Sequence, residues 1–276
     1  MDIEAVSDYV KELLESPENA VSPEAAISPD LAGMRMFDLV MAGAASADDE
    51  LFAKFRTPGI AGPMFMPPRE WMPEASSVIS IFFKFTDGIV RSMENSSYWP
   101  SPEWLHGRIE GQAFISWAVG MLAEKLKSMG HAALAPASDG RFSVSRSDGG
   151  TGKTRGASYS SSWSERHAAF ACGLGTFGLS RGIITRIGTP GRFGSVVTSL
   201  ELAPEKREYS AAYEYCSMCA VCAKNCPAGA ITLENGKDNS ICSGFLDLTK
   251  ERFAPRYGCG RCQIGVPCMA GPAAKR

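Results

Sequence analysis

Cys216-Ser-Met-Cys219-Ala-Val-Cys222-Ala-Lys-Asn-Cys226-Pro227 decides how the rest of the chain is read. Its pattern, C-x2-C-x2-C-x3-C-P, is the spacing of bacterial iron–sulfur ferredoxin runs. Three thiolates two residues apart wrap a tight loop and bind three irons of one cluster. The fourth, three residues on and followed by proline, ligates a second cluster. That arrangement requires more thiols downstream, and Cys242, Cys259, Cys262 and Cys268 supply them. Eight of the nine cysteines therefore form two sets of four, which predicts two [4Fe–4S] clusters. The expected wiring is crosswise. Cys216, Cys219 and Cys222 share a cluster with Cys268, while Cys226 joins Cys242, Cys259 and Cys262.

Disulfides and structural zinc are the competing uses of so many thiols. The acidic opening Met1-Asp-Ile-Glu-Ala-Val is unlike a secretory signal, which speaks against an oxidising compartment. Zinc could use Cys259-x2-Cys262, but the triple run holds more closely spaced thiols than one tetrahedral ion takes. A formal charge of −2 with scattered Lys and Arg leaves no basic stripe for nucleic acid. No apolar run approaches the roughly 18 residues of a membrane span, so no membrane partner is expected. With oxygen-sensitive clusters, a reducing cytoplasm is the expected location.

Upstream of the cysteines, Ile3, Val6, Val10 and Leu13 predict an amphipathic helix over residues 2–15. Residues 30–56 carry weaker helical signals at Met34, Phe37, Leu39 and Val40. The run Thr57-Pro-Gly-Ile-Ala-Gly-Pro-Met-Phe-Met-Pro-Pro excludes regular structure and predicts a packed loop. Ile79, Ile81, Phe83 and Phe85 predict a strand over 78–85, with Asp87-Gly88 turning the chain. Ser101-Pro-Glu opens a helix that runs towards Met129 and ends at Gly130. His106, near its beginning, is read as an ordinary helix histidine. Cys172, outside the cluster region, reads as a small buried hydrophobe, and the charged residues 205–215 as a link between two parts.

Two phosphate-type motifs fail on inspection. Asp148-Gly-Gly-Thr-Gly152-Lys153-Thr154 lacks the earlier glycine of a phosphate-binding loop, because position 147 is serine. Gly173-Leu-Gly175-Thr-Phe-Gly178 matches G-x-G-x-x-G, but a dinucleotide fingerprint needs a strand before it and a helix after. Here Ser162-Trp-Ser-Glu165 reads as a capping box opening a helix, and Ile183–Ile187 after the glycines reads as a strand. That strand should turn at residues 188–191 and return over 195–202 as a hairpin. The order is inverted, so Gly173, Gly175 and Gly178 mark a tight turn against a neighbouring element or a flat cofactor.

A helix running into Ala-Cys172-Gly-Leu-Gly-Thr-Phe-Gly178, followed by a two-cluster cysteine module, resembles epoxyqueuosine reductase and its relatives among the reductive dehalogenases. The resemblance covers residues 75–268. It implies an α+β protein: a nitroreductase-like α/β domain over 1–205, and a ferredoxin-like double-cluster domain over 206–276. It also implies a cobalamin-type corrinoid in the first domain, fed with electrons through the clusters by a donor such as a ferredoxin or flavodoxin. Gly173, Gly175 and Gly178 would approach that cofactor. The family's proton-donor aspartate aligns with Tyr159, whose phenol is protonated at neutral pH and can give a proton.

Two departures set the chain apart. The helical-repeat extension of the reductases is missing, so tRNA is not expected as a substrate. The spacing Cys262-x5-Cys268 is longer than the usual C-x3-C. The expected function is an iron–sulfur reductase of a small molecule or a corrinoid. Two alternatives stay open: a two-cluster electron carrier, and a protein that reduces or delivers corrinoids.

Overall fold

The computed structural model describes residues 1–96, 98–147 and 158–273. In chain order, helix α1 (Ile3–Leu13) leads into strand β1 (Phe37–Ser46), the short helices α2 (Glu50–Lys54) and α3 (Pro68–Trp71), and strand β2 (Ser77–Phe85). Helices α4 (Asp87–Glu94) and α5 (Pro102–Ser128) follow, then strands β3 (Ala133–Leu134), β4 (Val144–Ser147) and β5 (Ser158–Ser161). Helix α6 (Glu165–Ala171) is succeeded by β6 (Gly175–Phe177), β7 (Ile183–Thr185) and β8 (Gly191–Thr198). The cysteine-rich part adds α7 (Val221–Lys224), β9 (Ile231–Thr232), β10 (Gly236–Lys237) and α8 (Asn239–Phe253). The architecture is mixed α and β with small antiparallel sheets.

The largest sheet has the order β1-β2-β8-β3 and is covered on both faces. Ile79, Ile81, Phe83 and Phe85 face α1, α4 and α5; Val78 and Phe82, on the alternate positions, face a second core around α6 and Trp163. A strand buried on both faces reads as a continuous apolar run, which is what Val-Ile-Ser-Ile-Phe-Phe presents. Helix α5 lies so close to β8 that a side chain at Gly194 would meet Ile115 Cγ2 at 2.7 Å and Val119 Cγ1 at 2.8 Å. Its start is capped as expected: Ser101 Oγ accepts from the Trp104 amide at 3.2 Å. Gly130 ends it with φ +89°, a conformation suited to glycine.

Several expectations change. Residues 37–46 form a strand, because pairing along the whole of β2 outweighs a weak helical pattern. Asp87-Gly88 opens α4 where a plain turn was expected. The capping box at Ser162 does not form: Ser164 holds the cap position, and Ser162 Oγ accepts from the Ser143 amide at 2.9 Å. The hairpin of residues 183–202 is absent too, since β7 pairs with β6 while β8 pairs with β2 and β3. Residues 205–215 are strapped to the α/β part, with the Tyr209 hydroxyl donating to the Phe170 carbonyl at 2.5 Å and Arg207 paired with Asp49 at 2.7 Å. The 57–68 loop is packed as expected, with Phe65 buried and stacked on Trp163 at 5.4 Å. Residues 148–154, with their phosphate-loop-like motif, lie outside the described residues. No described helix is long and apolar enough to cross a membrane.

Candidate redox site

The turn conformations of the cysteine run follow from its sequence: Met218 and Ala220 take positive φ, so the chain doubles back between successive thiols. Cys216, Cys219, Cys222 and Cys268 line one narrow space. Cys226, Cys242, Cys259 and Cys262 line a second, much larger cavity of about 450 Å³. Cys262 borders both. The last cysteines reach back because the segment between them is anchored: Ile264 is buried in the main core, and Asn225 Nδ2 donates to its carbonyl at 3.0 Å.

Burial, with neighbouring sulfurs, pushes Cys222 and Cys259 up to about 12 and Cys268 to about 11, and raises Cys262 as well. Crowded, half-buried thiols of this kind ionise most readily when a cation joins them, which is the chemistry of a metal-binding donor set. Among the described residues, no three His, Cys, Asp or Glu side chains form a single-ion site. The thiols surround spaces.

The large cavity lies between the cysteine-rich part and the α/β part. Strand β8 and helices α5 and α6 form its opposite wall through Arg192, Arg108, Glu165 and Arg166. Arg166 is enclosed by protein mass, yet its side chain is open to the cavity. Five of the six buried side-chain polar atoms lacking a hydrogen-bond partner among the described residues line this cavity: Arg108 Nε and both oxygens of Glu165 on that wall, and Arg261 Nε and Gln263 Oε1 on the side of the cysteines. Burial pushes the Glu165 carboxyl up to about 7, held back by the nearby Ser195 and Trp163. Those two neighbours bond to each other, Trp163 Nε1 donating to Ser195 Oγ at 2.9 Å.

The glycines behave differently from one another. Gly173 and Gly175 line neither space. Gly175 is glycine because any Cβ would meet the Ile184 carbonyl oxygen at 2.0 Å, so its close approach is to strand β7. Gly178 lines the narrow space beside Cys216. Tyr159 sits in β5 opposite Arg146, and its side chain lies outside the described residues. Cys172 is buried as expected, its thiol near the Val78 carbonyl at 3.3 Å. His106 is fully buried, its Nε2 accepting the Ile27 amide at 3.1 Å. Sequence reasoning passed over Arg108 and Arg192. The available signal was an arginine in a strand otherwise buried on both faces.

No family model matches the chain. A tetrachloroethene reductive dehalogenase of Desulfitobacterium hafniense is 42% identical over 67 residues, 24% of this chain and 12% of that relative. Among solved structures, a catabolic reductive dehalogenase in complex with 3-bromo-4-hydroxybenzoic acid aligns over 99% of this chain and 37% of its own, with a TM-score of 0.56 at 15% identity. A selenomethionine-labelled epoxyqueuosine reductase aligns over 100% of this chain and 68% of its own, with a TM-score of 0.51 at 16% identity. The chain thus has the fold of the reductive dehalogenases and epoxyqueuosine reductases, as the sequence resemblance implied.

Proposed function

We propose that this protein is an iron–sulfur reductase in which two [4Fe–4S] clusters pass electrons into the large cavity. The observation that carries the reading is the position of one full cysteine set. Cys226, Cys242, Cys259 and Cys262 wall the same space as Arg108, Glu165, Arg166 and Arg192, and Cys262 also borders the space of the other set. Electrons entering at the Cys216 set would cross to the Cys226 set and meet a ligand there. Residues 206–276 are the electron-transfer module and 1–205 the nitroreductase-like substrate part.

The cavity suits a corrinoid fringed by amides, because Arg261 Nε and Gln263 Oε1, beside Cys262, stand without partners on its wall. Such a cofactor would supply a cobalt centre that accepts electrons and reduces the substrate. The protein's own residues hold the ligand, exclude water and store protons. Tyr159 is the proposed proton donor. An electron donor such as a ferredoxin or flavodoxin would dock near the Cys216 set. Where the chain ends says nothing about tRNA.

The test is anaerobic purification with metal analysis. About eight iron atoms per chain are expected, falling by about half in Cys262→Ser or Cys268→Ser, with a visible band bleached by dithionite and altered by added cobalamin. Iron near four in the parent, or zinc in its place, sinks the reading.

A further inference from the structure

The cavity wall facing the Cys226 set carries more positive charge than its protein neighbours offset. Arg108 comes from α5, Arg166 from α6 and Arg192 from β8, so three separate elements converge on one space. Among the described residues, neither Arg108 nor Arg166 makes an ion pair. The Arg108 guanidinium lies over the Tyr257 ring at 4.3 Å. Arg192 donates from Nε to the neutral Gln112 Oε1 at 3.0 Å, and its Nη2 reaches the same oxygen.

Two groups could supply the missing negative charge, and neither suffices. Glu165 lies on the wall, but burial favours its protonated form. Burial weighs first against the charge of both Arg166 and Arg192; Cys262 and Cys242 favour the charge of Arg166 and Arg108 opposes it, while Arg192 feels the repulsion of Arg108 and Arg166. Arg108 and Arg192 are half-buried, and a guanidinium drawn out of water without a counter-anion is costly, so a bound anion is the natural complement.

We propose that Arg108, Arg166 and Arg192 bind the anionic group, a carboxylate or phosphate, of a small substrate against the cavity wall facing Cys226, Cys242, Cys259 and Cys262. Calling the ligand a substrate rests on the reductase reading; the anion site itself rests on the guanidiniums. Planar forks match both anions through paired hydrogen bonds, and three of them from different elements fix orientation as well as charge. A substrate clamped there is held within the space that the cluster thiols enclose, which is what positioning for electron transfer needs.

The test uses cluster-loaded protein, purified anaerobically without corrinoid and titrated calorimetrically with inorganic phosphate and with benzoate. Saturable binding of each, with mutual competition, is expected. Arg192→Gln and Arg108→Gln should each weaken it at least ~10-fold while iron content and melting temperature stay at parent values. No saturable binding in protein with its full iron content overturns the anion site and leaves the reductase reading standing, as does binding unchanged in both variants. A chain without iron counts against the reductase reading instead. Repeating the titration after loading cobalamin separates the two sources of the anion. Binding that persists supports a substrate site, and displacement assigns the arginines to the phosphate of the cofactor and overturns the proposal.

Discussion

Arg256 grips Glu110 across the junction between the cysteine-rich part and helix α5: its Nε lies 3.0 Å from Oε1 and 3.2 Å from Oε2, and its Nη2 lies 2.5 Å from Oε1. The same guanidinium donates to the Ala25 carbonyl, and Glu110 Oε2 faces His106 Nδ1 at 3.1 Å. One pair therefore ties together the N-terminal segment, the long helix and the loop after α8.

Arg256→Ala should destabilise the protein by about 3 kcal/mol, since removing one partner leaves the other side's charge largely buried. The side chains are only 14% and 20% exposed, which places the pair nearer the buried than the surface class. A double-mutant cycle with Glu110→Gln, read by thermal unfolding of the metal-loaded protein, should show coupling of at least ~1 kcal/mol. Additive effects would mean that the pair does not brace the junction.

His167 gives the stability an acid limb. Its ring lies between Phe55 at 4.9 Å and Phe177 at 5.0 Å, and burial, then the charge of Arg166, lowers its pKa to about 4. The unfolded chain, with a histidine near 6.5, binds more protons below that pH. Stability from this group is whole above about pH 6.5 and is lost as pH falls towards about 4. His167→Phe keeps the ring packing and removes the titration, so its melting temperature should fall less than the parent's between those limits. Parallel curves would refute the assignment.

Glu165 acts with the opposite sign. Its folded pKa of about 7 lies above the ordinary 4.5, so the folded state binds the extra proton between them. Its favourable contribution is full below pH 4.5 and is lost as pH rises through about 7. Glu165→Gln keeps the shape and the neutral state, and above pH 7 it should be more stable than the parent by roughly 1–3 kcal/mol. A variant less stable than the parent at pH 8 would show that an ionised carboxylate is needed there.

Metal removal should loosen residues 206–276 before the sheet. That region has few core anchors, chiefly Tyr209, Phe245 and Ile264, and its thiols repel one another once ionised without a cation. After chelation under anaerobic conditions, trypsin should cut at Lys224 and Lys237 while the segment 1–147 resists. Uniform digestion would tie the sheet's stability to the clusters as well.

Tyr159→Phe deletes a proton and keeps the ring. If Tyr159 is the donor, iron content and cofactor binding should match the parent while substrate turnover falls at least ~100-fold. Unchanged turnover returns the residue to the scaffold, where β5 pairs it with Arg146.

Local signals were legible wherever one short stretch sufficed. The cysteine spacing, the Ser101 cap with Gly130 at the other end of α5, the face of α1 and the apolar run of β2 are each set by covalent geometry or by a repeat of two or 3.6 residues. The inverted order around Gly173–Gly178 was readable in the same way. What sequence could not decide was pairing. Residues 37–46 become a strand because β2 offers them a partner, and β7 and β8 separate because β2 and β6 compete for them. The candidate site divides along the same line. Which cysteines belong to the run is carried by spacing along the chain, and the expectation of a second set follows from it. That Cys262 borders both spaces, and that Arg108, Arg166 and Arg192 meet on one wall, depends on elements distant in sequence packing together; no local pattern encodes a contact whose partners lie on different helices and strands.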